Sequence, residues 1–116
     1  MNFELKQEHK LIQKTAREFA INELLPEVLY RDEHKIWPKK AIDKMSKLGF
    51  LGIMVDPKYN GSGMDTLSYV IAMEEIAKID AAASVVMSVN NSLVCSLLSK
   101  FGNEFQKDKY LKKLSK

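Results

Sequence analysis

Two histidines, one cysteine and a glycine-containing loop are where chemistry would have to reside in this chain. His9 and His34 are distant in sequence. Neither belongs to an HExxH or carboxylate-x-x-His arrangement, in which helical spacing brings metal ligands to one face. No metal site is expected. Glu74 and Glu75 are adjacent, so in a helix their side chains diverge by about 100° and make a poor acid–base pair. Cys95 stands alone, which excludes an internal disulfide. With no GxSxG segment, dinucleotide fingerprint or cysteine–histidine pairing, covalent catalysis has no visible carrier. The loop Asp56 to Gly63, DPKYNGSG, can supply the positive backbone angles of tight turns. A phosphate cradle is the alternative for it, but no GKS or GKT follows and no strand clearly precedes.

The elements that would position these groups are helices, arranged around one unusual stretch. Ala81 to Ser99, AAASVVMSVNNSLVCSLLS, contains no charged residue in a chain that is 28% charged. Val86, Val89, Leu93 and Leu97, with Val94 and Leu98, put apolar groups on more than one helical face, the pattern of a helix covered on most sides. Ser84, Ser88, Ser92, Ser96 and Ser99 form a second seam. A hydroxyl in a helix can bond a carbonyl one turn back, so these serines can be buried without being orphaned. The run approaches the length of a membrane span, but five serines and the amides Asn90 and Asn91 are costly in lipid. A central bundle helix is expected instead, with Cys95 a small buried hydrophobe in it.

Before it, a first helix is expected from about Leu5 to Tyr30. Leu11, Ile12, Thr15, Ala16, Phe19 and Ala20 form its stripe, Pro26 kinks it, and Lys6 leaves its first turn poorly capped. Pro38 opens a second helix, Lys39 to Leu48, which Gly49 ends. Phe50 to Val55 is an apolar run that periodicity cannot assign to helix or strand. Asp65 caps a third long helix, Thr66 to Ile79, with Leu67, Val70, Ile71 and Ala77 inward and a Glu74–Lys78 pair on its surface. Phe101 and Gly102 end the uncharged helix. Asn103 and Gln106 have capping-box spacing at the start of the last helix, Glu104 to Leu114, which carries Phe105, Tyr110, Leu111 and Leu114.

Length and composition bound the rest. At 116 residues, 46% hydrophobic with 5 Gly and 3 Pro, the chain fits one ordered helical domain. The net charge of +3 is spread along it, and the lysines near the end read as a solvated helix face, so no nucleic-acid partner is expected. The amino terminus, MNFELKQEHK, lacks the apolar core of a secretory signal and the arginine-rich look of a transit peptide. A cytoplasmic bacterial protein is the simplest expectation, or a mitochondrial matrix protein if the source is eukaryotic. The fold class is all-α, a bundle of five or six helices, up-down or partly orthogonal.

Several stretches carry a family resemblance: GMD at Gly63 to Asp65, IAMEEIAK at Ile71 to Lys78, SVNNSL at Ser88 to Leu93, FGNEFQKDKYL at Phe101 to Leu111, FELKQEHK near the start, and KLGFLGI at Lys47 to Ile53. With them the chain closely resembles the amino-terminal helical domain of acyl-CoA dehydrogenases, nearest the short-chain, butyryl-type enzymes. The resemblance covers essentially all of residues 1–116. It implies α,β-dehydrogenation of a fatty acyl-CoA, with FAD accepting the hydride and passing electrons to electron-transfer flavoprotein. In that family a central β-domain supplies most flavin contacts and a C-terminal helical bundle carries the base. Neither is in these residues, so the chain alone is expected to be inactive and without flavin. Asn60 replaces a glycine of the family's YGGxG loop, a change that asparagine's tolerance of left-handed backbone permits.

The resemblance also implies two sites. Val85, Val86, Val89, Asn90 and Leu93 match one wall of the acyl-chain cavity, with ordinary core packing the alternative. Ile12, Ala16, Phe19, Phe50, Met64 and Ala72 match a docking surface for electron-transfer flavoprotein, expected as an exposed apolar patch. Their alternative role is to join the first helix to the third. The rival to the enzyme reading is a non-enzymatic helical module that binds a partner or itself, and a homo-oligomer is expected in either case.

Overall fold

The computed structural model describes every residue from Met1 to Lys116, and it contains helices and turns with no strand. Five rods make the fold. The first covers residues 7–34: α1 (Gln7–Phe19), a π-helical stretch Ala20–Leu24, a 3₁₀ turn Leu25–Glu27 and α2 (Val28–His34). The kink expected at Pro26 takes this form. Proline lacks an N–H and crowds the turn before it, so the rod widens ahead of Pro26 and tightens through it. The rod outruns Tyr30 and stops where Lys35 turns left-handed at φ 55°.

The second rod, α3 (Lys39–Lys47), ends at Gly49 in the left-handed conformation its sequence implied, φ 79°. The unassigned run after it opens as a 3₁₀ turn, Phe50–Gly52. Asp56 caps a further 3₁₀ turn, Pro57–Tyr59, and Asn60 takes the left-handed position at φ 67°. The third rod, α4 (Thr66–Ala77), is capped by Asp65, whose side chain accepts from the Ser68 backbone N–H. The fourth spans Ala81–Phe101. It comprises α5 (Ala81–Ser88), a π-helical stretch Val89–Cys95 and α6 (Ser96–Phe101). The fifth contains α7 (Glu104–Gln106), a π-helical stretch Lys107–Leu111 and α8 (Lys112–Leu114). Its capping box is complete: Asn103 Oδ1 accepts from the Gln106 N–H, and Gln106 Oε1 from the Asn103 N–H, both at 2.9 Å.

The main core lies where α1 packs along α4, with α3, the Phe50 turn and α5 closing it. Ala16 and Ala72, both fully buried, let α1 and α4 approach closely, and Phe19 meets Phe50 edge-to-face at 5.9 Å. A smaller cluster of Val55, Tyr59, Cys95 and Leu111 fastens the last rod to the loop and the long helix. Two predicted faces need correction. Leu11 lies outside the stripe it was assigned to, 66% exposed, and on α4 Leu67, Val70 and Ala77 face outward. The inward face of α4 carries Ser68, Tyr69, Ile71, Ala72, Glu75 and Ile76 instead. The apolar and polar positions alternate too evenly around α4 for periodicity to choose a side, and buried polar partners made the choice.

Those partners are ionic. Glu75, 3% exposed, is held by Arg17 through two bonds of 2.9 Å, by Gln13 at 3.3 Å and by Lys78 at 3.1 Å. The Arg17 hydrogen bonds, with those of Lys78, lower its carboxyl from the ordinary 4.5 to about 2. Arg31 and Asp80, both buried, pair at 2.9 Å, and Asp80 also caps α5 by accepting from the Ala83 N–H. The first turn of α1 is secured although Lys6 cannot cap it, because the Lys6 backbone N–H donates to His9 Nδ1.

Candidate functional site

The long helix is the place to look for a binding face. Ser84 and Ser92 donate to carbonyls within their own helix, at 2.7 Å each, as the serine seam implied. By length and composition this helix could cross a membrane. Its asparagines, however, tie it to the bundle. Asn91 Nδ2 donates to the Phe50 and Met87 carbonyls and Oδ1 accepts from the Ile53 N–H. Asn90 Nδ2 donates to the carbonyls of Leu51 and Leu114 at 2.7 Å each. Both amides therefore grip the turn that follows α3, and none of that was legible from spacing.

This geometry sorts the five wall candidates. Val85, Val89 and Leu93 point away from the domain, 58%, 43% and 63% exposed. Val86 is half-buried. Asn90 is a correction: its amide turns back into the bundle, where two carbonyls need a donor, so it faces a different way from the exposed three. The outward row continues through Leu97 and Phe101, beyond the residues expected in the wall. The outward row itself is thus apolar and uncharged, with the exposed Ser92 beside it and Lys100 at the far end of the helix.

The six docking candidates need a second correction. Ile12, Ala16, Phe19, Phe50 and Ala72 are buried in the main core, and only Met64 is half-buried, so they do not form an exposed patch. The family resemblance drew them from separate segments of the chain, and those segments pack against one another in the core. What reaches solvent is a shallow groove of about 200 Å³. Ile12, Phe50 and Met64 contribute to its lining beside Leu11, Thr15 and Leu48.

The remaining chemical candidates are spoken for. His9 is 3% exposed, with Nδ1 accepting from Lys6 and Nε2 set 3.0 Å from Asp65. That arrangement places the ring proton on Nε2 and leaves no free lone pair, so the neighbouring carboxylates of Glu8 and Asp65 cannot use His9 as a metal ligand. The Ser68 hydroxyl and backbone N–H, followed by His9, hold the Asp65 carboxyl well below the usual carboxylate range. The glycine loop is equally occupied. The N–H groups of residues 58–64 all bond to chain oxygens, and a Cβ on Gly61 would lie 2.0 Å from the Val55 carbonyl. The loop is folded onto itself and has no donors left for a phosphate.

Comparison with known proteins agrees with this architecture. The family model described as acyl-CoA dehydrogenase, N-terminal domain, matches residues 6–116. A short-chain specific acyl-CoA dehydrogenase of Clostridium acetobutylicum is 40% identical over 116 residues, all of this chain and 31% of that protein. The caffeyl-CoA reductase-Etf complex subunit CarC of Acetobacterium woodii is 45% identical over 107 residues, 91% of this chain and 28% of that protein. The structure of butyryl-CoA dehydrogenase from Megasphaera elsdenii superposes with a TM-score of 0.94 at 38% identity, covering 99% of this chain and 31% of that one. The chain thus spans about a third of the length of these relatives. By the family match across nearly its whole length, and by a fold that shares its helices, this chain belongs to the acyl-CoA dehydrogenase N-terminal domain family.

Proposed function

We propose that these residues serve as the N-terminal helical domain of a short-chain, FAD-dependent acyl-CoA dehydrogenase, supplying one wall of the acyl cavity. The observation that carries this reading is the outward apolar row Val85, Val89 and Leu93 on an uncharged helix, in a fold that matches butyryl-CoA dehydrogenase. A fatty acyl tail needs apolar surface and no ion, which is what this row offers. The catalytic base and the flavin cradle lie outside residues 1–116 in this reading, since the one glycine loop here has no free donors. FAD would be held by residues outside 1–116 and would supply the hydride acceptor. The part of these residues is to line the tail and exclude water. The chain alone is inactive.

The groove beside Leu11, Ile12, Phe50 and Met64 is the proposed contact for electron-transfer flavoprotein, a partner named for the CarC relative. It is apolar and shallow, suited to a single inserted side chain rather than a broad interface. A second reading, a helical interaction module without enzymatic activity, is favoured by the same exposed row.

A chimera separates them. Residues 1–116 replace the matching third of the Clostridium acetobutylicum enzyme, and the product is assayed with butyryl-CoA and octanoyl-CoA. A yellow, active chimera in which Leu93→Trp lowers kcat/KM for the longer substrate more than for the shorter supports the wall. Equal loss with both substrates, or a colourless inactive protein, counts against it. Met64→Asp should raise KM for the flavoprotein while leaving turnover with a small dye acceptor unchanged.

A further inference from the structure

The turn Phe50–Ile53 lies between the groove and the long helix, and each of its carbonyls is taken by one or the other side. From the helix, Asn91 Nδ2 donates to the Phe50 carbonyl and Asn90 Nδ2 to that of Leu51, both at 2.7 Å, while Asn91 Oδ1 accepts from the Ile53 N–H at 2.9 Å. From the loop, the Ser62 N–H donates to the Gly52 carbonyl at 2.9 Å and the Met64 N–H to the Ile53 carbonyl at 2.8 Å. Gly52 packs so closely on Ser115 that a Cβ there would lie 2.6 Å from the Ser115 Cβ. Phe50 and Ile53, both buried, form the floor of the groove, and Ser62 and Met64 line it beside them. The two amides that hold the turn stand in the chain between Val89 and Leu93, which face outward.

We propose that Asn90 and Asn91 are positioning residues that couple the groove to the outer face of the long helix, so that an acyl tail resting on Val89 and Leu93 changes the affinity for the flavoprotein. This rests on the enzyme reading and adds to it a link between substrate occupancy and partner docking. Packed helices shift by about 1–2 Å when a ligand presses on them, and a dense interior passes such a displacement on. Any shift of the long helix carries both amides with it. The turn must follow or lose three hydrogen bonds at buried groups, and Ser62 and Met64 follow the turn through bonds of their own. Apolar neighbours can slide past one another, whereas short bonds to backbone cannot.

The π-helical stretch Val89–Cys95 is what lets one helix grip the turn twice. Adjacent residues of an α-helix diverge by about 100°. The wider π turn narrows that angle, and two neighbouring side chains reach two neighbouring carbonyls. Coupling of this kind is reciprocal, so docking the flavoprotein changes the affinity for the tail by the same factor.

The chimera tests the coupling with S-butyl-CoA, a thioether that carries a four-carbon tail but no thioester carbonyl, so that its α-protons are not acidic and it cannot be dehydrogenated. Flavoprotein binding is titrated with the chimera saturated by S-butyl-CoA and, separately, by CoA, which has no tail. The two dissociation constants should differ by about fivefold or more, and Asn90→Ala should bring their ratio close to one. Asn60→Gly is the control: it removes another amide bond to the last rod, the one to the Lys112 carbonyl, at a left-handed position that suits glycine, and leaves the turn alone. It should keep the ratio. Equal constants in the unaltered chimera overturn the proposal. So does a ratio that survives Asn90→Ala, because a merely structural loss weakens both forms alike. In the 116-residue chain without ligand or partner, Asn90→Ala should also speed hydrogen–deuterium exchange at the Ser62 and Met64 N–H groups by about tenfold relative to the amides of α1. Unchanged protection there overturns the linkage even where the chimera is inactive. An inactive chimera, or one in which Leu93→Trp shows no selectivity, sinks the enzyme reading and leaves the exchange result to decide the linkage, so the two fail separately.

Discussion

Asn91 spends all of its amide on backbone groups: two carbonyls, of Phe50 and Met87, and the Ile53 N–H. Replacing it by alanine leaves these buried groups without partners, at a cost of about 3 kcal/mol. Urea unfolding of Asn91→Ala against the unaltered chain measures it, and a loss below about 1 kcal/mol would show that water substitutes for the amide. Glu75 gives a pH signature. Its carboxyl is lowered in the fold to about 2 from an ordinary 4.5, by the Arg17 hydrogen bonds first and those of Lys78 next. The unfolded chain therefore binds the proton more readily. The stabilisation is complete above pH 4.5 and is lost as the pH falls toward about 2. Thermal unfolding across that window should show a falling midpoint, and Glu75→Gln should flatten the fall, leaving the contribution of Asp65, whose carboxyl is lowered too.

At the scale of elements, the long helix has two faces set by one irregularity. The π-helical stretch Val89–Cys95 turns Asn91 and Cys95 inward while Val89 and Leu93 stay out. Cys95 is fully buried, and burial pushes its thiol up to about 11. The native chain at pH 8 should thus react with a thiol reagent far more slowly than a free cysteine, with the full rate recovered in denaturant. A fast native reaction would mean that this stretch opens readily. The first rod shows the same device ahead of Pro26, where Ala20–Leu24 widens and places both Ala20 and Leu24 in the core.

The whole molecule is a slab, 42 × 40 × 19 Å, only about two helix diameters thick. A slab this thin cannot enclose both faces of its helices, which is why so many large apolar groups remain outside. The helices at its surface should gain stability when covered. In the chimera, amides of α5 and α6 should exchange with solvent more slowly than in the chain alone, read by hydrogen–deuterium exchange. Equal protection in both would show that the added segments do not rest on this face.

The sequence by itself determined the caps and the stops. Asp65, Asn103 with Gln106, Gly49 and the left-handed Asn60 act through groups a few residues away, and local chemistry is visible in a string of letters. The apolar, uncharged character of the fourth rod was equally plain. Which way the rods face was decided only in three dimensions. Leu67 and Leu11 point outward, the core swallows Phe19 and Ala72, and Asn90 turns from the proposed wall to the Leu51 and Leu114 carbonyls. A helix with apolar groups on several sides has no preferred inner face until another helix covers one. The partners that made the choice, Arg17 for Glu75 and Arg31 for Asp80, lie far away along the chain.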